Sequence, residues 1–252
     1  MSKFLKQIIV FIGVLSLVGC STNKLFTMAI DYERSRADLD LKSIVLDFGE
    51  IAYLDNNVKS DTTIVLLHGF GGDKDVWNRF SAELDGARHI VVPDLPGHGG
   101  SVSNKSLNYS ISHQAKMLSI FLKSIGVNKA HLIGNSMGGA VAIIYTNSNP
   151  EKVKSLSLID ALGLKKTKSE FDLMIEESGS NPMLNVCTEE AYENLIYLGM
   201  HNPPYIPSFF IDFLVSRKCE RTDIEKFVYA QMIQDSDLSE IVKNIAPPTI
   251  II

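Results

Sequence analysis

Cysteine is scarce in this chain, with three residues in 252, at positions 20, 187 and 219. That excludes a fold stapled by many disulfides, the usual device of small secreted domains. Positive charge is short as well. Twenty-four Lys and Arg stand against 29 Asp and Glu, a net charge of −5 with histidine neutral. No basic footprint for nucleic acid results. There are six histidines, and no ligand cluster of metal spacing is visible, so neither a metal nor another cofactor is implied. Internal repeats and low-complexity tracts are missing too, which excludes solenoids and disordered scaffolds.

What is present is an ordinary globular composition, 45% hydrophobic and 21% charged. It suits one α/β domain with room for an inserted subdomain. The start of the chain stands apart. Lys3 and Lys6 precede an apolar stretch at 8–18, too short to span a bilayer comfortably. It ends in Leu17-Val18-Gly19-Cys20, which resembles the lipobox of bacterial lipoproteins. The resemblance implies that 1–19 is a signal peptide and that Cys20 is lipidated and becomes the N-terminus. An uncleaved anchor is the alternative, and either tethers the domain to a membrane outside the cytoplasm. Ser21, where an aspartate would suggest inner-membrane retention, favours the outer membrane by the same resemblance. That compartment permits a bond between Cys187 and Cys219. Two buried free thiols remain the other reading, because sequence does not set their separation.

The stretch at 130–145, AHLIGNSMGGAVAIIY, carries the strongest local signal. Apolar HLIG predicts a buried strand and the small-then-apolar run after it predicts a helix. Between them lies Gly134-Asn135-Ser136-Met137-Gly138, a match to G-x-S-x-G. A serine there must stand on a strained turn, and the flanking glycines let strand and helix approach closely. The helix N-terminus then faces any negative charge forming at the serine.

Elsewhere the rhythm is of strands alternating with helices. Residues 43–55 read as two strands turning at Gly49-Glu50, 62–67 and 89–93 as short buried strands, and 153–159 as another. Helical spacing marks 75–84 as a surface helix, with Trp77 and Phe80 as packing residues, and 110–125 as an amphipathic helix stopped by Gly126. Such alternation implies a mostly parallel sheet with right-handed crossovers. Residues 163–237 break the rhythm. They hold no convincing strand and are rich in Phe, Tyr, Met and Leu, so they read as a helical cap. Residues 238–245 read as a short helix, and PPTIII at the end begins a further strand.

Three segments in order, LLHGFGGDKDVWNRF, VPDLPGHGGS and LIGNSMGGAVA, resemble the lipase and esterase branch of the α/β-hydrolases, including monoacylglycerol lipase-like enzymes. The resemblance runs from Tyr53 to about Leu164. It implies an α/β-hydrolase fold, a mostly parallel sheet with helices on both faces and a helical cap, in which 20–41 is a tether with room for a short helix, 42–162 the core, 163–237 the cap and 238–252 the start of the last part of the core. It implies hydrolysis of carboxylic esters, lipid-like or acylglycerol, through an acyl-enzyme on Ser136. The oxyanion is held by the amides of Phe70 and Met137. His68, Asp94 and His98 then shape loops rather than react, and the apolar cap residues, Met200 and Phe209 among them, suit an acyl chain.

Serine needs an adjacent base oriented by a carboxylate, and in this family the order is Ser, Asp or Glu, then His. The only histidine after Ser136 is His201, in the expected cap, and Asp160 occupies an acid position used by some relatives. The usual acid and base would follow the strand that PPTIII begins. The chain therefore reads as the N-terminal portion of a longer hydrolase, its last strands and final helix missing. Other readings stay open: a C–C bond hydrolase or peptidase of the same fold, or a non-catalytic membrane-tethered module. Ser rather than Asp at 136 argues against an epoxide hydrolase or dehalogenase.

Overall fold

The computed structural model describes residues 22–252 except 85, 87, 164–167 and 204. The signal segment and Cys20 lie outside the described residues. Seven strands form one sheet: β1 (Asp40–Leu46), β2 (Gly49–Asp55), β3 (Thr63–Leu67), β4 (His89–Pro93), β5 (Ala130–Asn135), β6 (Val153–Ile159) and β7 (Thr249–Ile251). Their spatial order is β1-β2-β4-β3-β5-β6-β7. β1 and β2 form an antiparallel hairpin and β2 runs antiparallel to β4, while every pair from β4 to β7 is parallel.

The parallel strands are buried on both faces because their side chains alternate between two cores. Val65 and Leu67 of β3 and Val91 of β4 enter one cluster, and Ile64, Leu66, Ile90 and Val92 enter the other. Each such side chain, nearly free of solvent, contributes about 1.5–3 kcal/mol. The first cluster is roofed by α3 (Ile111–Ser124) and α4 (Met137–Ser148). Ser110 caps α3 and the carboxylate of Asp235 accepts the Ile111 and Ser112 amides at 2.8 and 2.9 Å. Gly126, at φ 77°, ends it as its position implies.

Two local expectations change, and a third gains its detail. Residues 75–84 do not form one helix. The Asp73 carboxylate accepts the Asp75 amide at 2.9 Å and starts a tight 3-10 turn, Lys74–Trp77, before the short α2 (Asn78–Ala82). Residues 238–245 give only the turn Val242–Asn244, because Leu238 is drawn into the core and its amide donates to Gly163 O at 2.8 Å. The segment expected to be a tether with a short helix holds α1 (Thr22–Arg36), which docks on the body of the protein. Its Phe26 ring lies 5.3 Å from that of Phe213, and its Arg34 grips Asp75 through two hydrogen bonds of 2.7 Å each.

Between β6 and β7 the chain folds into α5 (Glu170–Ser178), α6 (Glu189–Gly199), α7 (Ser208–Glu220) and α8 (Thr222–Met232), with no strand among the described residues. α8 carries Val228 and Met232 into the main core and so seats this layer on the sheet. Cys187 and Cys219 form a disulfide, their Cα atoms 4.7 Å apart, joining the segment before α6 to the end of α7. Cys187 is exposed, so these are not buried thiols. No described helix is long and apolar enough to cross a membrane.

Candidate active site

Ser136 lies between the end of β5 and the start of α4, at φ 49°, ψ −117°. A non-glycine residue there is strained, at a cost of about 1–3 kcal/mol, and such strain gathers where function demands a fixed geometry. The bend is held from both sides. The Ser136 amide donates to Ile159 O at 3.0 Å, and its carbonyl accepts the amides of Leu162 and Ala140 at 3.0 and 3.2 Å. The half-buried side chain makes no hydrogen bond with a described residue.

Glycine is required at this bend for a steric reason. A Cβ on Gly134 would fall 2.5 Å from Gly138 O, and one on Gly138 would strike Leu67 O and lie 2.6 Å from His68 O. The helix start is thus pressed against the end of β3. A Cβ on Gly69 would come within 3.3 Å of the Ser136 Cβ. The loop after β3 therefore lies directly beside the serine, and Phe70 is its next residue. Neither the Phe70 amide nor the Met137 amide donates to a described residue.

The loop after β3 and the loop after β4 next to it are braced against each other. His68 is fully buried. Its Nδ1–H donates to Gly69 O at 2.8 Å and its Nε2 accepts the Leu95 amide at 2.9 Å. Both nitrogens are thus committed to a neutral ring, and burial holds its pKa below the ordinary value. His98 is equally buried. Its Nδ1–H donates to Pro96 O at 3.2 Å, its ring lies 5.7 Å from that of Phe70, and burial lowers its pKa strongly, with His68 nearby adding to the effect. Asp94 accepts the Lys74 amide at 2.6 Å, the Lys74 ammonium at 2.9 Å and the Gly100 amide at 2.7 Å. These three residues hold the loops in place, as their positions suggest.

None of the remaining histidines is hydrogen-bonded to Ser136. His89 is the first residue of β4 and His131 the second of β5, at the end opposite Ser136, bonded to Asp55 and Ser155. His113 bonds Ser110 at the start of α3, and His201 is exposed between α6 and α7. Asp160, at φ 43°, is exposed just past β6, its amide donating to Ile252 O at 3.0 Å. Sequence reasoning missed the polar seam above Phe70, where Lys218 and Glu225 pair at 2.7 Å. Lys218 and Glu225 lie on different helices, so only the Arg221–Glu225 spacing of four residues could have hinted at the cluster. No group of three His, Cys, Asp or Glu able to hold a metal occurs among the described residues.

Comparison with known proteins agrees with this geometry. Residues 62–182 match the family model for the α/β hydrolase fold. The chain is 31% identical over 248 residues to Lipase 3 of a Moraxella species, covering 94% of this chain and 78% of that one. It is 32% identical over 201 residues to monoacylglycerol lipase abhd6-A of Xenopus laevis, 75% of this chain and 60% of the relative. Among solved structures, that of a membrane phospholipase A described as a bacterial virulence factor superposes with a TM-score of 0.87 at 33% identity, over all of this chain and 81% of the other. The chain belongs to the α/β-hydrolase fold family, in the company of its lipases and esterases.

Proposed function

We propose that this chain carries the nucleophilic half of a serine hydrolase for carboxylic esters, with lipid-like or acylglycerol esters as substrates. Ser136 attacks the ester carbonyl, the amides of Phe70 and Met137 receive the oxyanion, and water clears the acyl-enzyme. The single observation behind the reading is the strained serine at φ 49° with two amides beside it that donate to no described residue. The positive end of α4 adds to the same field. Sequence relatives named as lipases and monoacylglycerol lipases support the substrate class. A lipid anchor at Cys20 would hold the domain at the bacterial outer membrane, close to such substrates.

A base for the Ser136 proton is the component that no hydrogen-bonded described residue supplies, so the experiment reads serine activation directly. A fluorophosphonate probe is offered to the full chain and to Ser136→Ala, beside a panel of p-nitrophenyl esters of increasing acyl length. The proposal expects labelling and ester turnover that vanish in the variant. Folded protein with neither would leave the non-catalytic tethered module as the better reading. Turnover of peptide or diketone substrates in preference to esters would move the reading to another hydrolase of this fold.

A further inference from the structure

The seam between cap and core contains a charged cluster that the proposed reaction does not use. Lys218, near the end of α7, places its Nζ 2.7 Å from Oε2 of Glu225 in α8. Only 13% of the lysine side chain and 3% of the glutamate side chain remain exposed. The same ammonium covers the loop after β3, since a Cβ built on Gly71 would fall 2.7 Å from it and meet no other atom within 4 Å. Arg221, between the two helices, approaches the other oxygen of Glu225 at 3.8 Å and donates to Gly97 O at 2.6 Å. One carboxylate thus gathers two cations: one touches the loop after β3, which lies beside the serine, and the other touches the loop after β4, which braces the β3 loop through His68 and His98. Phe70 is wedged at the same place, its ring 5.5 Å from Tyr229 of α8 and 5.7 Å from His98.

Stability alone does not account for the arrangement. A desolvated ion pair is often matched or bettered by apolar residues of similar volume, whereas breaking it from one side is costly. What a fixed carboxylate with two cations provides beyond apolar packing is direction. We propose that Glu225 is a positioning residue, setting the loops at Gly71 and Gly97 through Lys218 and Arg221 and thereby the aim of the Phe70 amide at Ser136. The inference rests on the reading of Phe70 as an oxyanion donor, and it goes beyond that reading by giving the cap a part in the geometry of the donor.

The test uses the full chain and four variants: Glu225→Gln, Lys218→Met, Lys218→Arg and the double replacement Lys218→Met with Glu225→Leu. The double variant removes the buried pair together and leaves only Arg221, whose side chain is 31% exposed and still donates to Gly97 O, so it keeps a folded protein available. Hydrogen exchange is followed in peptides covering 68–73 and 94–99 against peptides of β3 and β5. Exchange in the two loops is expected to accelerate about tenfold in Glu225→Gln and in the double variant, with the strands unchanged. Lys218→Arg, which preserves the pairing, is expected to restore wild-type protection where Lys218→Met does not. Ser136 labelling by fluorophosphonate is expected to slow about tenfold in the loosened variants, less than the loss of an oxyanion donor outright. Unchanged loop exchange in the double variant, or an arginine variant as loose as the methionine one, would overturn the proposal. A wild-type chain that takes no label would sink the hydrolase reading alone, because the exchange arm still decides whether Glu225 holds the loops.

Discussion

The Nε2 of His68 accepts the Leu95 amide at 2.9 Å, so a neutral imidazole ties the loop after β3 to the loop after β4. Protonation of that nitrogen would break the tie, and the ring has no solvent to turn to. Its neighbour His98 is in the same position, with an Nε2 that is buried and without a partner.

A pH dependence follows from these two rings. Burial depresses both pKa values in the folded protein, whereas the unfolded chain takes up protons near pH 6.5. Below that pH the unfolded state binds more protons than the native one, so stability is present above about pH 6.5 and falls as the solution is acidified. Each histidine that stays neutral contributes a slope of about 1.4 kcal/mol per pH unit, and the pair about 2.7. Urea unfolding at pH 7, 6 and 5 measures it. His98→Phe removes one titrating group and is expected to lower the slope by about 1.4 kcal/mol per pH unit. An unchanged slope in that variant would mean that His98 titrates alike in both states.

The bend at Ser136 gives a prediction of unusual sign. Glycine normally destabilises a chain relative to alanine through backbone entropy. At φ 49°, however, alanine retains the strain and glycine relieves it. Ser136→Gly is expected to be more stable than Ser136→Ala by about 1 kcal/mol in thermal or urea unfolding, while neither takes a serine probe. Gly138→Ala tests the other side of the bend. Its methyl group would meet the carbonyls of Leu67 and His68, backbone atoms that cannot step aside, and a loss of about 3 kcal/mol or more is expected. If alanine proves more stable than glycine at 136, the bend carries no strain.

This bend was readable from sequence because its requirements are local. Glycines two residues either side of a serine are dictated by contacts between neighbouring turns, and the apolar runs of β3 and β4 by burial on two faces. The short strand β7 was also visible in Thr249–Ile251. What escaped were relationships set by distant residues. Nothing near Lys74 shows that its ammonium will be pulled inward by Asp94, twenty residues on, so periodicity alone predicts a regular helix there. Nothing in α1 shows that Phe26 will pack on Phe213, or that Arg34 will find Asp75. The cap was legible as helical from its composition. The way α8 seats it on Gly97 and Phe70 depends on pairs more than a hundred residues apart, such as Arg221 with Gly97.

The disulfide between Cys187 and Cys219 supplies the last prediction. It closes a segment of 32 residues that contains α6 and most of α7, and Cys219 directly follows Lys218. Chain-entropy reasoning assigns a loop of that length about 3–4 kcal/mol, provided it unfolds together with the core. The double substitution Cys187→Ser with Cys219→Ser is therefore expected to lower the unfolding free energy by up to that amount. Cys187 is exposed, so a mild reductant on the wild-type protein should reproduce the effect. The location of the loss is as informative as its size. If the cap opens by itself, hydrogen exchange should rise in α6 and α7 while β3, β4 and β5 keep their protection. Equal acceleration in the strands would show instead that cap and sheet unfold as one unit, with the bond bracing the whole domain.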